Sequence, residues 1–295
     1  MARQTITETL KATGKTLVSD GAWGTFLQKK GLKPGECPEL WCVDKPDEVY
    51  DVAKSYVDAG ADMIESDSFG GSCFKLKHYG LADRAAEINE AAARASKKAA
   101  GDNAWVIASL GPTGEMLVTE DVTEEELYEA FKVQAVAFEK GGADAVCIET
   151  MSDIGEAVEA IKAVKENTKL EAICTFAFDR TAQGGYKTMM GVDPASAAKA
   201  AIEAGADVVG ANCGNGIERM IEIVTEMRAV DKDIPILVHA NAGLPQNING
   251  TDFFPETPED MAKLAPKLAA AGANIIGGCC GTTPAHINAM KKALQ

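Results

Sequence analysis

Short apolar runs recur along the chain, each almost free of charge until its last residues. Eight stand out: Lys15–Asp20, Asp62–Phe69, Trp105–Gly111, Asp144–Thr150, Glu171–Phe178, Asp207–Cys213, Pro235–Asn241 and Asn274–Cys280. Runs of Val, Ile and Ala without polar alternation suit strands covered on both faces, as in a parallel sheet. Between them, helical spacing of apolar residues predicts helices over Pro46–Ala59, Leu81–Ala100, Thr123–Lys140, Ile154–Glu166, Pro194–Ala204, Gly216–Arg228 and Pro258–Ala271. Asp193 before Pro194 and Thr257 before Pro258 supply N-cap and first-turn pairs.

A weak internal repeat sharpens the fold. Ala59-Gly60-Ala61-Asp62, Gly141-Gly142-Ala143-Asp144, Ala204-Gly205-Ala206-Asp207 and Ala271-Gly272-Ala273-Asn274 each close a helix and open a strand. The glycine is a natural residue just past a helix end. These turns precede strands two, four, six and eight, so the pattern is an alternation of strand and helix with a two-unit echo. It predicts an α/β fold, a single-domain (β/α)8 TIM barrel occupying residues 1–295. The main competitor is a doubly wound open sheet, but no Gly-x-Gly-x-x-Gly turn follows the first strand.

Composition narrows the class. Hydrophobic and charged fractions of 46% and 25% are those of an ordinary globular chain, which argues against disorder. A net charge of −15 repels phosphates and so excludes nucleic acid as a partner. No apolar run approaches the ~20 residues of a membrane span. The polar N-terminus lacks the apolar core of a signal peptide, so the expected location is the cytoplasm. Thiols stay reduced there, and the 8 cysteines point to burial, metal or catalysis rather than disulfides.

In a barrel of this kind the active site lies at the C-terminal strand ends. The chemically useful residues fall there: Asp20-Gly21, Glu65-Ser66-Asp67-Ser68-Phe69, Glu149-Thr150, Asn212-Cys213, His239 with Asn241, and Cys279-Cys280. A single cysteine is most often a core residue, and Cys73, Cys147 and Cys174 are read that way. Cys37 and Cys42 lack the two-residue gap of a zinc knuckle. Cys213, Cys279 and Cys280 differ because each closes a strand beside glycine. Adjacent strand residues point to opposite faces, so Cys279 and Cys280 can share a metal only if the chain turns, which Gly281 permits. Three thiolates with one position open describe a catalytic zinc site. A substrate thiol entering that position would lose its proton, so the ligand set favours alkyl transfer to sulfur over hydrolysis.

The carboxylates divide by face. Asp62, Asp144 and Asp207 precede strands, on the face associated with stability, and are read as capping residues. Asp20, Glu65 and Glu149 sit at the opposite end. A buried carboxylate there needs a cation or donors; for Glu149, a substrate ammonium and a structural ion pair are both open. His239 is expected to be a supporting or core histidine, and His78 and His286 surface residues.

These motifs carry a family resemblance. Asp20-Gly21-Ala22-Trp23-Gly24-Thr25, Glu65–Phe69, Gly111-Pro112-Thr113-Gly114, Glu149-Thr150, Gly210 to Cys213, Asn241 to Pro245 and Gly277 to Pro284 run in order across the chain. Together they resemble the homocysteine S-methyltransferase family, most of all the N-terminal homocysteine-binding barrel of cobalamin-dependent methionine synthase. The resemblance implies a zinc-dependent enzyme that activates homocysteine as a zinc thiolate and methylates it to methionine. Cys213, Cys279 and Cys280 would be the catalytic zinc ligands. Asp20, Gly21, Ser66, Asp67, Phe69, Glu149 and Asn241 would bind substrate, Glu149 facing the ammonium and Asn241 able to fill the open zinc position without substrate.

Three positions depart from the family pattern: Trp23 where Met is common, Asp67 where Asn is common, and His239 where Gln is common. They bear on which thiol is accepted. The resemblance covers the barrel alone, without folate- or corrinoid-binding segments, so a separate methyl donor is expected. A methyl-corrinoid protein suits the resemblance; an S-methylmethionine- or betaine-type donor, a different thiol, and a non-catalytic thiol- or corrinoid-binding subunit are the alternatives.

Overall fold

A computed structural model describes residues 3–248 and 251–295. All eight expected strands form: β1 Leu17–Val18, β2 Met63–Glu65, β3 Trp105–Leu110, β4 Ala145–Met151, β5 Glu171–Phe176, β6 Val208–Asn212, β7 Ile236–Ala240 and β8 Ile275–Gly278. They make one parallel sheet in the order β1-β8-β7-β6-β5-β4-β3-β2, a nearly closed (β/α)8 barrel. The seam between β1 and β2 is held by the Asp62 N–H donating to the Val18 carbonyl at 2.7 Å. On the other side of it, the Glu65 N–H donates to the Asp20 carboxylate at 2.8 Å.

The ring of helices follows the apolar spacing: α1 Pro46–Asp58, α2 Ala85–Ala100, α3 Glu124–Gly141, α4 Ile154–Asn167, α5 Pro194–Glu203, α6 Ile217–Arg228, α7 Pro258–Ala270 and α8 Pro284–Ala293. The side chains of Asp193 and Thr257 cap α5 and α7 as their sequence predicts. The eighth helix has only Ile287 and Met290 as buried large apolar anchors, too short a stripe to mark it in the sequence. Two hairpins in the loops after β5 and β7, Asp179–Arg180 with Tyr186–Lys187 and Gln246–Ile248 with Thr251–Phe253, are additions to the expected elements.

The barrel interior is apolar at its base and polar at its mouth. Leu17, Met63, Trp105, Ala145, Ile173, Val208, Leu237 and Ile275 pack together at the base. Helix Ile6–Thr13 plugs this end, adding Ile6 and Leu10 to the same cluster. Its first amides donate to buried Glu171, Ile6 N–H at 2.8 Å and Thr7 N–H at 3.1 Å. A carboxylate there complements the positive end of the helix.

The repeated turns have a different purpose from the capping expected of them. Asp62, Asp144, Asp207 and Asn274 each use a side-chain oxygen to accept an N–H from the preceding strand: Val18, Val106, Ala172 and Ile236, at 2.7–2.9 Å. Each also donates its own N–H to that same residue's carbonyl. A helix cation completes each clamp: Lys291, Lys97, Lys165 and Arg228. The short acidic or amide side chain is needed because, where each odd strand begins, an N–H would otherwise lack a ladder partner. His286 is also corrected: it is buried, its Nδ1 takes the Thr283 N–H at 3.1 Å, and its Nε2 lies 3.1 Å from the Glu256 carbonyl.

Candidate functional site

At the mouth, β7 carries both cysteine segments. The Cys213 N–H donates to the His239 carbonyl at 3.0 Å, and the Cys279 N–H to the Ala240 carbonyl at 2.8 Å. Residues two strands apart ordinarily stand about 9–10 Å from each other. Here the Cα atoms of Cys213 and Cys279 are 5.7 Å apart, because both segments bend over the end of β7. Cys213 does so in the left-handed region, with φ of 57°. On the other side the chain turns at Gly281, φ 81°, and Thr282 closes the turn by donating to the Cys279 carbonyl. That turn is the condition under which Cys279 and Cys280 can face one point.

The three sulfurs all lie within 4.8 Å of one another. Cys280 Sγ is 3.7 Å from Cys213 Sγ and 4.0 Å from Cys279 Sγ. Reduced thiols are the sequence expectation, but the structure brings Cys213 and Cys279 into disulfide contact; their Cα separation lies in the range that such a bond spans. Cys147 and Cys174 are fully buried core residues, as expected.

Beside the sulfurs is a pocket of ≈ 400 Å³. Gly21, Ser66, Asp67, Phe69 and Glu149 line it together with Cys213, Cys279 and Cys280. Asp20 lies beneath it, fully buried, its Oδ2 accepting the Trp23 indole N–H at 2.9 Å as well as the Glu65 amide. Trp23 therefore acts as a donor that smaller apolar residues cannot replace. Asn241 is outside the pocket lining but buried, and its Oδ1 has no hydrogen-bond partner among the described residues. Its neighbour Ala242 donates to the Cys280 carbonyl at 3.0 Å, tying this segment to the sulfur cluster.

The electrostatics are unusual. Glu39, Glu65, Asp67 and Glu149 line the pocket without any Lys or Arg. Burial pushes Glu65 up to about 8 and Glu149 up to about 8, the latter helped by Glu65. Asp20 rises to about 7 by burial and by the nearby Glu65, and Asp67 rises by burial and by Glu39. His239 Nδ1 is 3.3 Å from Glu65 Oε1, but burial lowers the imidazole's affinity for a proton. The pair is not aligned as a hydrogen bond: Glu65 Oε1 and His239 Nε2 both lack partners among the described residues. Such a site is short of positive charge.

A polar belt runs around the mouth. The Ser66 and Ser68 hydroxyls are 2.7 Å apart, and Ser68 Oγ donates to the Ser109 carbonyl at 2.7 Å. Ser109 Oγ donates to Glu149 Oε1, while Asn212 Nδ2 donates to Glu149 Oε2 at 3.2 Å. Glu39 bridges two loops, accepting the Gly70 N–H at 2.7 Å. Ser109 and Glu39 carried no motif signal. Glu65 and Asn212 fall within the strand-end motifs that resemble the family, but the sequence reading assigns no role to Asn212 and none beyond a strand-end carboxylate to Glu65.

A profile of the homocysteine S-methyltransferase family matches residues 17–294. The chain belongs to the homocysteine S-methyltransferase family. Among its relatives in that family, methionine synthase of Mycobacterium tuberculosis is 30% identical over 296 residues, covering 95% of this chain and 25% of that protein. Methionine synthase of Mycobacterium leprae is 31% identical over 298 residues, covering 95% and 24%. The chain thus spans about a quarter of the length of these curated relatives. Among solved structures, the metallated homocysteine methyltransferase MmuM of Escherichia coli superposes with a TM-score of 0.79 at 21% identity, over 96% of this chain and 98% of that one. That likeness establishes the shared barrel fold. No helix among the described residues is long and apolar enough to cross a membrane.

Proposed function

We propose that this barrel, residues 1–295, is a cytoplasmic zinc-dependent methyltransferase that converts homocysteine to methionine, with Cys213, Cys279 and Cys280 as zinc ligands. The observation that carries the reading is the convergence of three sulfurs on the wall of an acid-rich pocket. An all-sulfur donor set suits zinc, and Asn241, next to the residue whose N–H bonds the Cys280 carbonyl, has a buried Oδ1 with no hydrogen-bond partner among the described residues. A metal-holding form requires the Cys213–Cys279 pair to be reduced. Zinc there supplies a Lewis acid that favours the thiolate over the thiol.

The chain's own residues do the rest. Glu149, with Ser109 and Asn212 donating to its two oxygens, is set to receive the substrate ammonium. In the free site burial keeps a proton on it near neutral pH; an arriving ammonium favours the carboxylate and releases that proton. Ser66, Asp67 and Phe69 form the wall of the amino-acid pocket, and Asp20 anchors that wall through the Glu65 amide and Trp23.

The donor implied by resemblance to the cobalamin-dependent synthases is a methyl-corrinoid protein. One observation favours a second reading. Glu39 and Asp67 add carboxylates beyond the one an amino acid's ammonium needs, which suits a small cationic methyl donor of the sulfonium or quaternary ammonium type. The test is a donor-by-thiol activity matrix with reduced, zinc-loaded protein. Methionine formed with methylcobalamin or a methyl-corrinoid protein supports the first donor; activity only with S-methylmethionine or betaine replaces it. Cys279→Ser should abolish zinc binding, and unchanged zinc content would remove the shared premise.

A further inference from the structure

One side chain at the mouth has every hydrogen-bonding capacity filled, with partners on both sides of the site. Asn212 is fully buried at the end of β6. Its Oδ1 accepts the Thr150 N–H at 2.7 Å and the Thr175 hydroxyl at 2.7 Å. Its Nδ2 donates to the Thr150 hydroxyl at 2.7 Å and to Glu149 Oε2 at 3.2 Å. A primary amide has two lone pairs and two N–H groups to offer, so none is spare.

Two residues next to this arrangement are strained. Thr150, which follows Glu149, and Cys213, which follows Asn212, have left-handed backbones with φ of 61° and 57°. Non-glycine residues hold such conformations only where their surroundings impose them. One planar amide thus joins the tip of β4, which carries a carboxylate, to the tip of β6, which carries a sulfur. The carboxylate is held to Asn212 by a hydrogen bond, and the sulfur through the backbone of the next residue, so a change at this amide moves one end of the span against the other.

We infer that Asn212 is a positioning residue that fixes the separation between the sulfur cluster and the Glu149 carboxylate, and so selects thiols whose amine stands at the matching distance from sulfur. The inference rests on the homocysteine reading above and deepens it. Homocysteine has two methylenes between its sulfur and the carbon bearing the amine; cysteine has one and cannot satisfy both ends of a fixed span. A thiol without an amine uses the sulfur end alone and is indifferent to the span.

Calorimetric titration of reduced, zinc-loaded protein with L-homocysteine, L-cysteine and 1-propanethiol tests this, with zinc content measured on each sample. Wild type should prefer homocysteine over cysteine by about tenfold or more, the usual worth of one methylene in a fitted site. In Asn212→Ala, homocysteine should weaken about tenfold, the loss expected for a donor to a charged group, while cysteine and propanethiol stay within about twofold. Asn212→Ser carries the test if the alanine variant does not fold, because its hydroxyl can still partner Thr150 or Thr175 while the shorter side chain gives up the contact to Glu149. An unchanged homocysteine-to-cysteine ratio in the folded variant overturns the inference. So does an equal loss for all three thiols accompanied by loss of zinc, which would make Asn212 purely structural. If wild type does not distinguish homocysteine from propanethiol, the span is not read at all, although a metal–thiol site stands. If wild type binds no thiol, the homocysteine reading fails and this inference with it.

Discussion

Replacing Glu65 with glutamine should stabilise the protein at alkaline pH and leave it unimproved at acidic pH. Glu65 is buried at the end of β2, faces His239 at 3.3 Å without a proper hydrogen bond, and has no cation beside it. Burial raises its carboxyl from 4.5 to about 8. The folded protein therefore keeps this proton while the unfolded chain gives it up. Stability from this group is greatest below about 4.5, declines as pH rises, and stops declining above about 8. At about 1.36 kcal/mol per pH unit, the decline between pH 5 and pH 8 is about 4 kcal/mol. Glutamine has the same shape and no ionisation, so it escapes that decline. Any cost of burying its amide is the same at both pH values and cancels in the comparison. Thermal unfolding of wild type and Glu65→Gln at pH 5 and pH 8 reads the difference. The variant should gain on the order of 10 °C in relative Tm from the lower to the higher pH, at about 2–4 °C per kcal/mol for a chain of this size. An offset that is the same at both pH values would refute the reasoning, because Glu65 would then be charged and compensated in the folded state.

Three further outcomes are expected. Glu149→Gln should weaken homocysteine binding about tenfold or more with zinc content unchanged, since a charge-assisted contact is lost and the sulfur ligands are not touched; equal affinity by calorimetry would contradict the ammonium assignment. Gly278→Ala places a Cβ 2.6 Å from Thr282 Cγ2 and 2.7 Å from Thr282 Cβ. Thr282 ties Ala22 to the Cys279 turn, so the variant should lose zinc and about 1–3 kcal/mol of stability; a folded variant with full zinc content would show that the turn yields freely. Asp144→Ala removes the acceptor for Val106 N–H and the partner of Lys97, and should cost about 1–3 kcal/mol in urea unfolding without altering zinc content; no loss of stability would mean that the clamp is idle.

Much of the molecule is legible along the chain because a buried parallel strand must be apolar on both faces. Charge reappears only where the strand ends, so segments such as Asp207–Cys213 and Asn274–Cys280 announce both the strand and its active end. The recurrent Gly-Ala-Asp turns announce the barrel's two-unit rhythm, but not what the acid does. Nothing in the sequence says that Asp62 or Asp144 reaches sideways to the neighbouring strand rather than along its own helix, because the partner amide is supplied by another segment. His286 likewise looks like a surface residue until α8 is packed against the loop that carries Glu256.

The site divides the same way. Residue types and strand-end positions are local properties, so the barrel, the end of it that matters and the three cysteines as candidates for one metal could be read along the chain. Convergence is not local. Cys213 and Cys279 are 66 positions apart in sequence and on strands that are not neighbours; only the left-handed turn at Cys213 and the turn at Gly281 bring them together over β7. The elevated proton affinity of Glu65 and Glu149 exists because the barrel buries several acids around one cavity without a cation. The role of Asn212 exists because three strand tips meet at one amide. Those facts belong to the tertiary structure, since desolvation and hydrogen-bond saturation depend on what surrounds a group, and the chain's order does not contain its surroundings.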